Sequence, residues 1–325
     1  MSAGARSLIP ADLASRAALL SFTANLGLMV LKLTAGILTG SVAVLSDGVD
    51  SGQDVFASAI AFGSVRFAMR PPDLAHQYGH GRAETLAAMF QSFLIFAGGV
   101  YIAFRGIERL LNPPDHIGAG AGLVTMAVTA SVNVLVVRYV GKVARQTNSP
   151  AIESDARHLW TNVVQAAAIF IGLGLVLITG NVAIDGAIAL MLAVYLFWTA
   201  ARILWDSLHD ILDVSLDDDD VEFIQGVIMR HRDDICGFHR LRTRRSGQRP
   251  FIDVHLIQPK DMTVSQASAV VDSIEGEIWG RWPGAIVTIQ TEPDDGRFRG
   301  PMDSEESRGM EGERPSRVYD PPAGI

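Results

Sequence analysis

Charge is scarce in this chain. Asp, Glu, Lys and Arg make up 19% of its 325 residues, while hydrophobic residues make up 49%. Soluble domains carry roughly 25% charged residues, and the mean hydropathy here is +0.25. A purely soluble protein and a wholly disordered chain are both excluded on that balance. Positive charge is scarcer still, with 27 Lys and Arg against 35 Asp and Glu and a formal net charge of -8. That leaves no excess for the basic face a nucleic-acid binder needs. Cysteine is nearly absent. Cys236 stands alone, so there is no intrachain disulfide and no cysteine cage for zinc. Any metal must be held by Asp, Glu, His or Asn. A signal-peptide cleavage site is also missing. Arg6 and Arg16 precede an apolar run, but that run, Ala17 to Leu38, is long for a signal core and reads as a first membrane helix.

A spanning helix needs about 20 mostly apolar residues. Six stretches meet this: Leu13–Leu38, Val42–Phe67, Ala83–Leu111, Ile117–Val140, Ile152–Thr179 and Val182–Ser207. The second and fifth carry polar residues and are weaker by hydropathy. Arg66, Arg70 and Arg82 follow the second, and Arg138, Lys142 and Arg145 end the fourth. The turns after the first and fifth carry no Lys or Arg, while Arg105 and Arg109 at the end of the third are a partial exception. The positive-inside rule then places both termini in the cytoplasm.

From Asp213 the composition changes. Asp217–Asp220 reads as the start of a helix, where carboxylates complement the dipole. Two strand-like runs, Gly237–Arg244 and Pro250–Ile257, flank a turn; Ser265–Trp282 is helical and Ala285–Thr291 alternates as a third strand. The expected architecture is a six-helix α-helical transmembrane domain at 13–212, after a cytoplasmic segment at 1–12. A small cytoplasmic α+β domain of order α-β-β-α-β follows at 213–292. The Pro-, Gly- and charge-rich stretch 293–325 is expected to be disordered.

Four groups of residues point to metal chemistry. In the second stretch Asp47, Asp50 and Asp54 sit at i, i+3 and i+7, within about 60° of one helix face. An Asp at the centre of a spanning helix costs roughly 2.5–3.5 kcal/mol on the mildest scale. Capping of a prematurely ended helix is the bland alternative, but Val55–Phe67 continues the apolar pattern beyond. In the fifth stretch His158 and Asn162 share a face at i and i+4. Two Asp from one helix with a His and an Asn from another make four ligands, a number that suits tetrahedral zinc. Asp73, His76 and His80 are spaced to wrap a metal from a loop, against the alternative of incidental solvated histidines. In the soluble domain Asp253 and His255 share a strand face, His239 lies on the neighbouring strand and Glu292 ends the third.

These residues resemble the cation diffusion facilitator family of divalent-metal transporters, from about Leu13 to Pro293. The stretch from Thr39-Gly40-Ser41 to Asp54, the segment Tyr78-Gly79-His80-Gly81-Arg82-Ala83-Glu84 and the helix-five histidine carry the resemblance. Leu241-Arg242-Thr243-Arg244, Ser246-Gly247 and Phe251-Ile252 with Val254-His255 extend it into a metallochaperone-like domain. The resemblance implies a transport site of Asp50, Asp54 and His158, with Asn162 where the family usually has Asp, and with Asp47 near by. It also implies a loop metal site at Asp73, His76 and His80 and a cytoplasmic one at His239, His255 and Glu292. That last site is thinned, because Ser268 and Gln290 stand where zinc-transporting relatives often have histidines. Arg82 and Asp213 match an ion-pair interlock at a dimer interface. The implied protein is a homodimer in the lipid bilayer of the cytoplasmic (inner) membrane that exports a divalent metal in exchange for protons, and it is no enzyme. Imidazole plus carboxylate favours zinc as the exported ion, and leaves iron(II) and manganese(II) open. The alternative is a metal-responsive membrane protein that regulates or assembles without transport, suggested by Asn162 and the thinned cytoplasmic site.

Overall fold

The computed structural model describes residues 9–39, 42–112, 120–179 and 183–294. Of the expected cytoplasmic segment 1–12 only residues 9–12 are described, as the first residues of α1, and of the expected tail 293–325 only residues 293 and 294. Six long helices come first: α1 (Ile9–Thr39), α2 (Val42–Ala68), α3 (Arg82–Leu111), α4 (Gly120–Thr147), α5 (Pro150–Thr179) and α6 (Ala183–Ile211). They are followed by α7 (Asp218–Arg230), β1 (Gly237–Ser246), β2 (Arg249–Gln258), α8 (Val264–Arg281) and β3 (Ile286–Pro293). The described residues form two compact units, one built on α1 to α6 and the other on α7, the sheet and α8.

Each of α1 to α6 has 27 to 31 residues. At 1.5 Å per residue each is long enough for a hydrocarbon core about 30 Å thick. Among the described residues four helices are also apolar enough to span by composition alone, over Leu13–Ala35, Arg82–Glu108, Ala127–Thr147 and Gly186–Ile211. The other two, α2 and α5, carry Ser51, Gln53 and Asp54, and Glu153, Asp155, Arg157, His158 and Asn162, the polar content that weakens their hydropathy. Helix α4 runs to Thr147, seven residues past the end of its apolar run at Val140. Lys142 and Arg145 can carry a helix beyond the hydrocarbon because their stems lie along it while the charges reach water.

Local chemistry explains the helix ends. Ser149 caps α5, accepting from Ile152 N at 3.3 Å, and Pro150 takes the first helical position, where a missing N–H costs nothing. The packing of α3 on α6 is close because both helices present glycine. A Cβ at Gly186 would lie 2.7 Å from Leu110 Cγ and 2.9 Å from the Gly106 carbonyl oxygen. Small residues let spanning helices approach where lipid offers no hydrophobic drive. The other cluster is likewise rich in small side chains, with Ala14, Ala17, Ala18, Ala87 and Ala151 packed on Val140, Val143, Ile152 and Leu159. Outward, large apolar side chains such as Phe93, Phe96, Phe104 and Val194 stand exposed, a surface suited to acyl chains rather than water.

The second unit has a three-stranded sheet in the order β1-β2-β3. Strand β2 pairs with β3 in parallel, Phe251 opposite Ile286 and Ile257 opposite Glu292. A parallel pair needs a crossover, and α8 supplies it. That helix begins in a reciprocal capping box between Thr263 and Gln266. Ile224, Val227 and Ile228 of α7 and Ile274 and Ile278 of α8 cover Ile252, Val254 and Leu256 of β2.

Candidate functional site

Inside the six-helix unit is a cavity of about 500 Å³ whose lining includes Lys32, Asp54, Asn133, His158, Asn162 and Gln165. Helices α2 and α5 bring its two main groups together: His158 Nε2 lies 2.9 Å from Asp54 Oδ1. The backbone at both positions is secured separately. Asn25 Nδ2 and Ser58 Oγ donate to the Asp54 carbonyl at 3.4 and 2.9 Å, and Thr161 Oγ1 donates to the His158 carbonyl at 2.6 Å. The His158 side chain is 7% exposed and that of Asp54 28%. Several polar atoms near this pair are buried without a hydrogen-bond partner among the described residues: His158 Nδ1, Asn162 Nδ2, Asn133 Oδ1 and Thr129 Oγ1. Buried polar atoms left unpaired are costly, so the cavity is built to receive something polar. Asp47 and Asp50 lie on the α2 backbone, and their side chains fall outside the described residues.

Lys32 went unassigned from the sequence. It is buried on α1, donates from Nζ to Ser51 Oγ at 2.9 Å, and lines the same cavity. Its signal was present: apart from Arg16, it is the one charged residue within Leu13–Leu38, and an ionisable residue inside a spanning helix is a functional candidate by default. Asp155, fully buried one turn before His158, is another.

The loop between α2 and α3 gathers Asp73, His76 and His80, whose candidate ligand atoms all lie within 4.8 Å of one another. Asp73 Oδ1 is 3.2 Å from His76 Nδ1, and Asp73 Oδ2 is 3.3 Å from His80 Nε2. The backbone N–H of His76, then its imidazole and the N–H of Ala75, hold the Asp73 carboxyl below its usual range, against a partial desolvation effect. His80 is buried with its ring edge-on to Phe67. A charged carboxylate between two imidazoles is an arrangement that can chelate a dication.

In the second unit one residue from each strand converges: His239 from β1, His255 from β2 and Glu292 from β3, again within 4.8 Å. Glu292 Oε1 is 2.7 Å from His255 Nδ1 and Oε2 is 3.1 Å from His239 Nε2. The His255 bond chiefly, then His239, keeps the Glu292 carboxyl below its usual range, with burial opposing. Gln290 Nε2 donates to the same carboxylate at 3.2 Å. Asp253 shares the His255 face of β2 by parity but is exposed and is not among the residues gathered here. Arg82, at the start of α3, pairs with Asp213 just past α6 and also donates to the Asp210 carbonyl, within one chain. Thr85 Oγ1 adds a 3.1 Å bond to Asp210 Oδ2.

A helical membrane unit with a carboxylate–imidazole pair lining an internal cavity, joined to a small α+β unit with its own carboxylate–imidazole cluster, defines a class of metal-handling membrane proteins. Residues 18–212 match the cation efflux transmembrane domain and residues 216–294 the cation efflux protein cytoplasmic domain. The chain belongs to this cation efflux (cation diffusion facilitator) family. It is 33% identical over 281 residues to the cation-efflux pump FieF of Shigella flexneri serotype 5b (strain 8401), covering 86% of this chain and 93% of that protein. The FieF proteins of Klebsiella pneumoniae and of Escherichia coli O139:H28 match to the same extent. A solved chain from work on CzrB, in its Zn form, is 34% identical over 27% of this chain and 99% of its own, with a TM-score of 0.25.

Proposed function

We propose that this chain is a proton-coupled exporter of a divalent transition metal, working as a homodimer in the cytoplasmic membrane with both termini in the cytoplasm. The observation that carries this reading is the Asp54–His158 pair, 2.9 Å apart in a cavity of the six-helix unit that Asn162 also lines. Asp50, Asp54, His158 and Asn162 hold the cargo, with Asp47 beside them. Metal binds only to ionised carboxylates and neutral imidazole. Protons and metal therefore compete for the same groups, and that competition is the coupling. Helix rearrangement then exposes the site to the two sides in turn. Asn162 offers an oxygen but no charge and no proton. His158, the group that titrates nearest neutrality by type, takes the main proton role. Zinc is the favoured cargo, with iron(II) and manganese(II) open to the same mixed oxygen and nitrogen donors.

The Asp73–His76–His80 and His239–His255–Glu292 clusters serve as accessory metal sites. The second acts as a regulator: a dication bound there offsets repulsion between the acidic Asp217–Asp220 segments of two protomers, and Arg82 with Asp213 secures the interlock near the membrane surface.

The test is metal-dependent proton movement. In liposomes holding a pH-sensitive dye, zinc added outside should alkalinise the lumen, because zinc entering is exchanged for protons leaving, and His158→Ala should abolish the signal. Unchanged proton movement in that variant would remove His158 from the coupling role. The alternative, a metal-responsive protein that does not transport, is favoured by Asn162 and by the thinned cytoplasmic site, where Ser268 and Gln290 stand. If native protein gives no flux and Asn162→Asp creates it, that alternative is correct.

A further inference from the structure

The six-helix unit contains a second large hollow, of about 1080 Å³, between the C-terminal turns of α4, the first turns of α5 and the second half of α6. It is separate from the cargo cavity and shares none of its lining residues. Four arginines line it, Arg138 and Arg145 on α4, Arg157 on α5 and Arg202 on α6. Arg157 is matched within the protein, 2.7 Å from Asp206 Oδ2 and 2.6 Å from Glu153 Oε1. Arg138, Arg145 and Arg202 are exposed and have no carboxylate partner among the described residues. Two indoles, Trp160 and Trp198, share the lining and are each more than half or about half exposed, and Arg202 lies 5.8 Å from the Trp198 ring.

Three unmatched positive charges beside two half-exposed tryptophans make a site with both an anionic and an amphipathic demand. Guanidinium groups bind phosphate oxygens in pairs, and tryptophan prefers the level of lipid headgroups. We propose that this hollow binds the headgroup of an anionic phospholipid of the cytoplasmic leaflet, its phosphate held by Arg138, Arg145 and Arg202. Basic pockets between spanning helices on that side have this chemistry. A free phosphate would satisfy the arginines equally, but it gives the indoles nothing to cover. Tyr139 on α4 and Val194 on α6, each next in sequence to a lining residue, are exposed side chains that acyl chains can cover. The occupant would bridge α4 to α6 across the first turns of α5, whose Arg157 reaches Asp206 of α6. The placement in the cytoplasmic leaflet rests on the membrane orientation proposed above.

The test uses the full-length protein in phosphatidylcholine nanodiscs doped with phosphatidylglycerol, and counts retained lipid by native mass spectrometry after release into detergent. Native protein should retain phosphatidylglycerol in preference to phosphatidylcholine. Arg138→Gln with Arg145→Gln should lower that retention by about thirtyfold, as loss of two headgroup contacts implies. Arg202→Gln alone should lower it by about fivefold, and stands in if the double variant does not fold. Trp160→Leu should weaken retention of phosphatidylglycerol without affecting binding of inorganic phosphate. Equal retention of the two lipids by native protein, or unchanged retention in the arginine variants, would overturn the proposal. Inorganic phosphate displacing the lipid at equal concentration would overturn the lipid as its source. Retention is read without flux, so a transport failure leaves this result standing, and a protein that transports but retains no anionic lipid refutes this inference alone.

Discussion

Replacing Asp54 by Asn removes one charge and little else. The two hydrogen bonds that anchor this position, from Asn25 Nδ2 and Ser58 Oγ, end on the backbone carbonyl and survive the change. The lost contact is the 2.9 Å approach of Oδ1 to His158 Nε2, and the amide oxygen can still accept there. The fold should therefore lose no more than about 1–2 kcal/mol. Metal affinity should fall much further. Unit charges 4 Å apart attract by about 4 kcal/mol at an effective dielectric of 20, and a dication doubles this to about 8. Stripping water from the ion and the carboxylate takes back several kcal/mol of that attraction, and the variant also loses a competing proton site. The net loss is then about 3–4 kcal/mol, or two to three decades in Kd. A competition titration with a chromophoric zinc chelator, on native and Asp54→Asn protein of matched melting behaviour, measures it. The accessory clusters are silenced by His76→Ala and Glu292→Gln in both backgrounds. A variant Kd within about threefold of native would refute the electrostatic account of this site.

Lys32→Met should tighten metal binding at the cavity by at least about tenfold, because a positive charge next to the cargo is removed; the same titration checks it, with Lys32→Arg expected to keep native affinity. Gly186→Val should destabilise the α3–α6 packing by about 1–3 kcal/mol, since its Cβ meets Leu110 and the Gly106 backbone. Gly63→Ala, where a Cβ meets nothing within 4 Å, should leave the melting temperature unchanged or slightly raised. Glu292→Gln should lower the melting temperature of metal-free protein at neutral pH. The Glu292 carboxyl sits below its usual value of 4.5 in the folded state. Its contribution is therefore present above that value and is lost as the pH falls through the lower folded value, so native and variant melts should converge in acid.

Much of the membrane unit could be read from residue patterns alone. Long apolar runs need no partner to declare a spanning helix, and all six were placed. What composition could not deliver was where helices end in water: α4 continues to Thr147 because Lys142 and Arg145 extend it past the apolar stretch. The polar residues of α2 and α5 are conspicuous because they are expensive there, so Asp54 and His158 stand out in the sequence, whereas their 2.9 Å contact needs the packed helices. Lys32 was passed over because one charge hardly alters the hydropathy of a long run. The sheet was harder. Strand parity puts Asp253 on the side of His255, but the β2–β3 register sets His255 opposite Gln290 and brings Glu292 to the histidines. Register is decided by the paired strands and the crossover between them. The arginine and tryptophan hollow depends on three helices meeting, and no single run of residues contains it.

The central claim is exchange of metal for protons at the α2–α5 site. Its most direct test is metal uptake into proteoliposomes under an imposed pH gradient, with zinc, iron(II) and manganese(II), for native protein against Asp54→Ala. The account predicts uptake that depends on the gradient and vanishes in the variant, with the best-transported ion naming the cargo. Uptake of none of the three by folded, dimeric native protein, or equal uptake by native and variant, would contradict it.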